Sequence, residues 1–227
     1  MRIRNNILLV DTETVGDFGT PLVHDIGYRI LDKDFNVLFE TRHLVKQSRQ
    51  NFLLNTEFYK NKACKYDNDI EQGLVDILSW QDILKEMKDN MRKYRVKVIG
   101  AYNVAFDFRA MNFTTQFLDN GNLQFEKWFK TKKFLCIWNM ACETILQTEE
   151  FQEWARKNQK VSPKGNIMTS AETCYQFLNK NLGFEEEHTA LEDVKIETEI
   201  LKYIIQNCHH KVKYGLEYGC WKLVQKH

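Results

Sequence analysis

Proline and glycine, the residues that most often interrupt helices and strands, are scarce in this sequence. It has two prolines and ten glycines in 227 residues, and no run of glycine, serine or proline that would mark a linker. No apolar run approaches the roughly 20 residues of a transmembrane helix, and the N-terminus lacks the apolar segment of a signal peptide. We therefore expect one domain over residues 1–227, with a core at about 6–205 and a C-terminal extension at 206–227, in a soluble cytoplasmic protein, or a nuclear one if the host has a nucleus.

The sequence also lacks paired cysteines and an excess of either charge. Its six cysteines form no C-x-x-C pair, which predicts reduced core thiols in an intracellular protein. With 32 basic and 31 acidic residues the net charge is +1, so a polyanion would have to be bound by a local patch. Arg92–Lys97 and the aromatic-rich Lys127–Phe134 are candidate patches. In the alternative interpretation of the second segment, Trp128 and Phe129 are buried and the lysines only solvate a helix.

Two acidic residues follow the first apolar segment. Ile7–Val10 is rich in strand-forming residues, and successive strand residues point to opposite faces, so Asp11 and Glu13 share a face. Two like charges at the end of a buried strand repel one another unless a cation lies between them. The similar triplet Asp67–Asp69 is interpreted as a chance occurrence on a polar loop.

A second apolar segment, Lys97–Ala101, also predicts a strand and leads towards Asp107. The residues after Asp107 favour a helix. Asp107 would then lie near a strand end and a helix start, beside Asp11. The alternative is that Asp107 only caps the helix, a position that aspartate favours.

The third acidic segment predicts a helix that starts at Thr189, because Thr189 and Glu192 have capping-box spacing and apolar residues follow at helical intervals. Asp193 would lie one turn inside this helix. His188 would precede it, free to move towards a substrate. The alternative is that His188 is a surface histidine beside the acidic run 185–187.

Together these segments resemble the DEDD-type 3′–5′ exonucleases of the ribonuclease H-like superfamily, the group of the DnaQ-like proofreading subunits. The D-x-E motif is matched by Asp11–Glu13, N-x-x-F-D by Asn103–Asp107 and H-x-x-x-x-D by His188–Asp193. The sequence resembles the histidine subtype, because the tyrosine subtype has tyrosine where this chain has Thr189. Tyr102 stands where the family often has histidine.

The resemblance implies a fold, a mechanism and partners. The fold would be α/β, with a central five-stranded mixed sheet flanked by helices in three layers. Two divalent metal ions, Mg²⁺ or Mn²⁺, would be held by Asp11, Glu13, Asp107 and Asp193, and His188 would take the proton from the attacking water. The residues expected to contact the terminal nucleotide are Thr12, Thr14, Asn103 and Phe106.

The implied activity is 3′–5′ hydrolysis of single-stranded or frayed DNA ends, with nucleoside monophosphates as products and a replication polymerase as a potential partner. RNA trimming by the same residues is the alternative substrate class. A catalytically idle module that binds nucleic acid or a polymerase is the alternative of another kind.

The remaining pattern predicts further elements. Residues 25–31 and 37–44 are expected to form a hairpin, 80–94 a helix and 134–138 a fifth strand. Residues 48–79 are expected to be a polar insertion or an irregular connection.

Overall fold

The structure is a computed structural model that describes residues 3–16, 19–49, 57–119, 129, 131–208, 212–216 and 219–225. Much of the predicted basic and aromatic segment, including Trp128, therefore lies outside the described residues. Phe129 belongs to this segment and is described; it is buried, as the alternative interpretation of the segment expects.

A mixed sheet forms the centre of the fold, in the order β4-β3-β2-β1-β5-β6. The strands are β1 (Ile7–Val15), β2 (Leu22–Leu31), β3 (Val37–Val45), β4 (Asp76–Leu78), β5 (Val98–Ala101) and β6 (Lys133–Cys136). Strands β1, β2 and β3 are antiparallel neighbours, whereas β4, β5 and β6 each pair in parallel. The predicted hairpin is confirmed as β2 and β3. The expected count of five strands is wrong, because the three residues of β4 extend the β3 edge.

Helices cover both faces of the sheet. They are α1 (Lys46–Arg49), α2 (Glu57–Glu71), α3 (Trp80–Lys93), α4 (Val104–Asp119), α5 (Ile137–Ala141), α6 (Glu149–Lys157), α7 (Ala171–Asn179) and α8 (Ala190–Asn207). A π-helical turn, Cys142–Leu146, follows α5, and a 3₁₀ turn, Cys220–Leu223, lies near the C-terminus. None of the described helices is both long and apolar enough to cross a bilayer.

Alternation along β1 creates the two cores. Ile7 and Leu9 belong to a buried cluster that includes residues of α5 and α8. Leu8 and Val10 belong to the opposite cluster, which includes residues of α3 and α4. Because β1 is buried on both faces, its apolar run is continuous rather than alternating. This three-layer arrangement confirms the predicted α/β fold class.

Three local expectations are corrected by the structure. Residues 48–79 contain α2 and β4 instead of an irregular connection, and Asp67–Asp69 lies in α2 instead of on a loop. Asp69 is engaged by Arg42 of β3, with 2.5 Å between Nη1 and Oδ2. All six cysteines are free thiols, and Cys64 is exposed rather than buried.

Candidate functional site

The candidate site lies where β1 continues beyond its parallel neighbour. Strand β5 pairs with β1 only as far as Leu9, opposite Gly100, and the chain then turns into α4. Strand β1 continues to Val15. Asp11 and Glu13 therefore lie beside a gap in the sheet, where side chains from α4 and α8 can reach them.

A close backbone approach positions the start of α8 over this gap. Gly27 of β2 pairs directly with Asp11 in the antiparallel register. A Cβ at Gly27 would lie 2.3 Å from the Leu191 nitrogen and 2.5 Å from the Ala190 carbonyl carbon. Only glycine fits between β2 and this helix, so Gly27 is the residue that allows α8 to lie against the strand beside Asp11.

The N-terminus of α8 is held by a residue distant in sequence. Thr189 is the N-cap residue, as predicted, but its side chain makes no capping hydrogen bond. Instead the N–H of Ala190 donates to Asp25 Oδ2 at 3.3 Å. Arg42 Nε lies 3.1 and 3.0 Å from the two oxygens of Asp25. Burial raises the pKa of Asp25, and Arg42 opposes this shift by favouring the carboxylate.

The arrangement brings together Glu13, His188 and Asp193. One potential ligand atom from each lies within 4.8 Å of the other two. Asp193 sits in the first turn of α8, and His188 precedes the helix with φ of 51°, an uncommon value for a residue other than glycine. Two carboxylates and an imidazole at this separation could bind a divalent cation.

Asp107 approaches the same gap from α4. It lies in the first turn of this helix rather than at its N-cap, so the capping interpretation is wrong. Its Oδ1 accepts hydrogen bonds from the backbone N–H and the hydroxyl of Thr12, at 3.1 and 2.9 Å. Burial raises the pKa of Asp107 to about 7, Glu13 contributes in the same direction, and the Thr12 hydrogen bonds oppose the shift.

Asp11 completes the set of four predicted carboxylates. Its pKa is raised well above the ordinary value, first by burial and then by the charges of Asp107, Glu197, Asp193 and Glu13. Repulsion of this kind is relieved when a cation is bound among the carboxylates. The donor set therefore fits hard divalent ions such as Mg²⁺ or Mn²⁺, which prefer oxygen ligands.

His188 also lies beside a second acidic pair. Its Nδ1 is 3.9 Å from Glu186 Oε2, and Glu172 belongs to the same group of side chains. Burial raises the pKa of Glu186 to about 7, with further contributions from Glu172 and Glu13. The loop before His188 is joined to α2 through Lys65, whose Nζ lies 2.6 Å from Glu187 Oε2. The segment predicted to be an insertion thus contacts the loop that carries the histidine.

The predicted substrate-binding residues lie on β1, next to Asp11 and Glu13 in sequence, and at or just before the start of α4, which carries Asp107. Thr12 is buried and donates to Asp107, whereas Thr14 and Asn103 are half-buried. Phe106 is also half-buried, and the Arg109 guanidinium carbon lies 5.5 Å from its ring centre. Contact of these residues with a nucleotide stays a prediction.

Sequence reasoning missed three residues of this site: Gly27, Asp25 and Glu197. Gly27 and Asp25 lie in the predicted hairpin, where nothing local indicates that a helix packs against them. Glu197 follows Asp193 by one helical turn, a spacing that puts both side chains on one face of α8. That spacing was the available signal for Glu197.

No protein-family model matches the sequence, and no curated protein matches it. Several solved structures, in contrast, are similar to it in fold. Cell-death related nuclease 4 (CRN-4) matches with a TM-score of 0.58 and 13% identity, over 92% of this chain and 66% of that one. E. coli exonuclease I in complex with a dT13 oligonucleotide has a TM-score of 0.53 and 14% identity, over 89% and 41%.

A moderately thermophilic exonuclease I from Methylocaldum szegediense is similar to the same degree, with a TM-score of 0.54 and 13% identity over 90% and 41% of the two chains. The present chain thus spans about two fifths of the exonuclease I chains. At these identities the similarity establishes architecture alone: the chain has the ribonuclease H-like α/β fold that these nucleases share.

Proposed function

We propose that the protein is a divalent-cation-dependent 3′–5′ exonuclease that releases nucleoside 5′-monophosphates from the 3′ ends of DNA. The observation that carries the proposal is the meeting of Glu13, His188 and Asp193 beside Asp11 and Asp107, in a gap of a ribonuclease H-like sheet. The nuclease structures that share this fold support phosphodiester hydrolysis. The 3′ polarity rests on the resemblance of the three motifs to the DEDD exonucleases.

The four carboxylates Asp11, Glu13, Asp107 and Asp193 would hold two ions, Mg²⁺ or Mn²⁺. When bound, such ions polarise the phosphodiester and lower the pKa of the attacking water. His188 would accept the proton of that water. Its side chain is 50% exposed, so a substrate end has access to it without a rearrangement of the core.

The neighbouring residues would orient the terminal nucleotide. Thr14 and Asn103 offer polar groups, and the ring of Phe106 offers a face for stacking against a base or sugar. Thr12 would act partly through Asp107, because its two hydrogen bonds fix the orientation of that carboxylate.

DNA is the preferred substrate of this proposal, and E. coli exonuclease I, which shares the fold, is described in complex with a DNA oligonucleotide. RNA is the second candidate, because the carboxylates and His188 serve either sugar. Direct competition between DNA and RNA strands of one sequence separates the two: DNA should be shortened first.

The decisive experiment is digestion of 5′-labelled single-stranded oligonucleotides in Mg²⁺ or Mn²⁺. We expect a ladder that shortens from the 3′ end and is absent in EDTA. Asp193→Asn should abolish it, as should Asp11→Asn. Glu199→Gln is the matched control, because it removes one negative charge from an exposed position of the same helix and should leave the ladder unchanged. Full activity in either site variant would overturn the proposal.

Two narrower questions follow from the same assay. Proofreading beside a DNA polymerase predicts faster removal of a mismatched than of a matched 3′ terminus, whereas equal rates would argue against that role. Tight oligonucleotide binding without hydrolysis, even in Mn²⁺, would instead favour an idle binding module.

A further inference from the structure

Glu197 is a buried carboxylate that the four-acid motif does not include. It lies on α8, one turn after Asp193, and is 2% exposed. Within the described part of the chain, its Oε2 is shielded from solvent and has no hydrogen-bond partner. A buried carboxylate oxygen without a partner is costly, so such a group is either held as the neutral acid or balanced by a ligand that supplies positive charge.

The surroundings of Glu197 are those of the candidate cation site. Its charge interacts with those of Asp107 and Asp193, and it contributes in turn to the repulsion at Asp11. The backbone N–H of Tyr102, at the end of β5, stabilises its charged form. Glu197 thus stands where β1, β5 and α8 meet, on the buried side of the gap, whereas His188 stands on the exposed side.

Its apolar neighbours cannot balance its charge. The adjacent Ile196 and the residues one turn further along α8, Ile200 and Leu201, are buried in the hydrophobic cluster of that face. A salt bridge is also absent, because none of the lysine, arginine and histidine side chains in the described residues forms an ion pair with Glu197 within 4.0 Å. A cation in the carboxylate gap would supply the missing positive charge.

We propose that Glu197 is a fifth carboxylate of the cation site, which binds a divalent ion through Oε2, either directly or through a water molecule of the ion's hydration shell. This inference rests on the proposed function for the presence of the ion. It adds a ligand on the buried side of the site, and it explains why a carboxylate is buried beside Ile196, Ile200 and Leu201.

Calorimetric titration with Mn²⁺ alone, in the absence of nucleic acid, tests the proposal. Glu197→Gln keeps the size of the side chain and removes its charge, and we expect it to weaken Mn²⁺ binding about 10- to 100-fold. Glu197→Asp should recover part of the affinity. Glu199→Gln should bind Mn²⁺ like the unaltered protein, and Asp193→Asn should lose most of its affinity.

A second readout is thermal unfolding with and without Mn²⁺. In EDTA, Glu197→Gln should melt above the unaltered protein, because one of the repelling buried charges is gone, and Mn²⁺ should raise its melting temperature by less. Mn²⁺ affinity within twofold of the unaltered protein would overturn the proposal and show that Glu197 is held as the neutral acid, which glutamine mimics. Failure of the unaltered protein to bind Mn²⁺ would instead contradict the proposed function itself.

Discussion

Asp25 of β2 accepts a hydrogen bond from the backbone N–H of Ala190, 165 residues further along the chain. This hydrogen bond holds the first turn of α8 against the sheet. It therefore helps to position His188 and Asp193, which lie just before and within that turn. Arg42 holds the same carboxylate from the opposite strand, with its own side chain only 8% exposed. The candidate cation site is therefore supported by a buried ion pair that contains none of the proposed ligands.

Asp25→Ala should destabilise the fold by about 3–5 kcal/mol, because it leaves Arg42 buried with only Asp69 to balance it and removes the acceptor for the helix. Asp25→Asn keeps an acceptor oxygen but not the charge, so its loss should be smaller. Denaturant unfolding measures both. Asp76→Ala, on the exposed strand β4, is the control and should change stability by less than about 0.5 kcal/mol. A loss below about 1 kcal/mol for Asp25→Ala would contradict this account.

Gly27→Ala should strongly reduce the proposed nuclease activity. The added methyl group would overlap the backbone of Ala190 and Leu191, so α8 must move away from β2 and carry Asp193 with it. We expect at least a 100-fold lower cleavage rate, since about 1 Å of misplacement can have that effect. Gly183→Ala is the control, because its nearest contact would be an ordinary 3.7 Å to Asn181 Oδ1. Equal rates for the two variants would contradict the argument.

Substitutions of His188 should affect the stability of the fold and the proposed catalysis in different ways. A φ of 51° costs about 1–2 kcal/mol for residues other than glycine. His188→Gly should therefore be more stable than His188→Ala by about 1 kcal/mol, although both lose the proposed base and should lose the proposed nuclease activity. The same two substitutions at exposed Glu199, inside α8, should give the opposite order, with glycine about 1 kcal/mol less stable than alanine. Denaturant unfolding of the four variants checks this reversal.

The sequence predicted what local patterns determine. The strand that begins at Ile7, the strand that precedes α4, the helix that begins after Thr189 and the α/β class were all predictable from apolar runs and from the order of the elements. The sequence placed Asp11 and Glu13 at the end of the first strand, whereas β1 continues to Val15 and carries both. The capping contact was not, because Thr189 has the right chemistry and the structure uses Asp25 instead. Nor could the pattern identify Gly27, whose role depends on how closely a distant helix approaches. Such contacts depend on tertiary packing, which overrides local preference.

Without divalent ions, the protein should lose stability as pH rises from about 4 to 7. Burial raises the pKa of Asp107 in the folded state to about 7, from an ordinary value of 3.8. The folded state therefore binds this proton more tightly, so protonation favours folding. As pH rises above 3.8, Asp107 loses its proton in the unfolded chain but keeps it in the folded protein. The stabilisation therefore decreases steadily with pH and is fully lost above about pH 7.

The measurement is the melting temperature in EDTA against pH, for the unaltered protein and for Asp107→Asn. The difference between the two should change with pH over this window and become constant above it, because asparagine does not titrate. Saturating Mg²⁺ should reduce the dependence, since a bound cation balances the carboxylate charge in place of the proton. A difference that is constant with pH would show that Asp107 has the same proton affinity in the folded and unfolded states, so that neither its burial nor the charge of Glu13 raises its pKa.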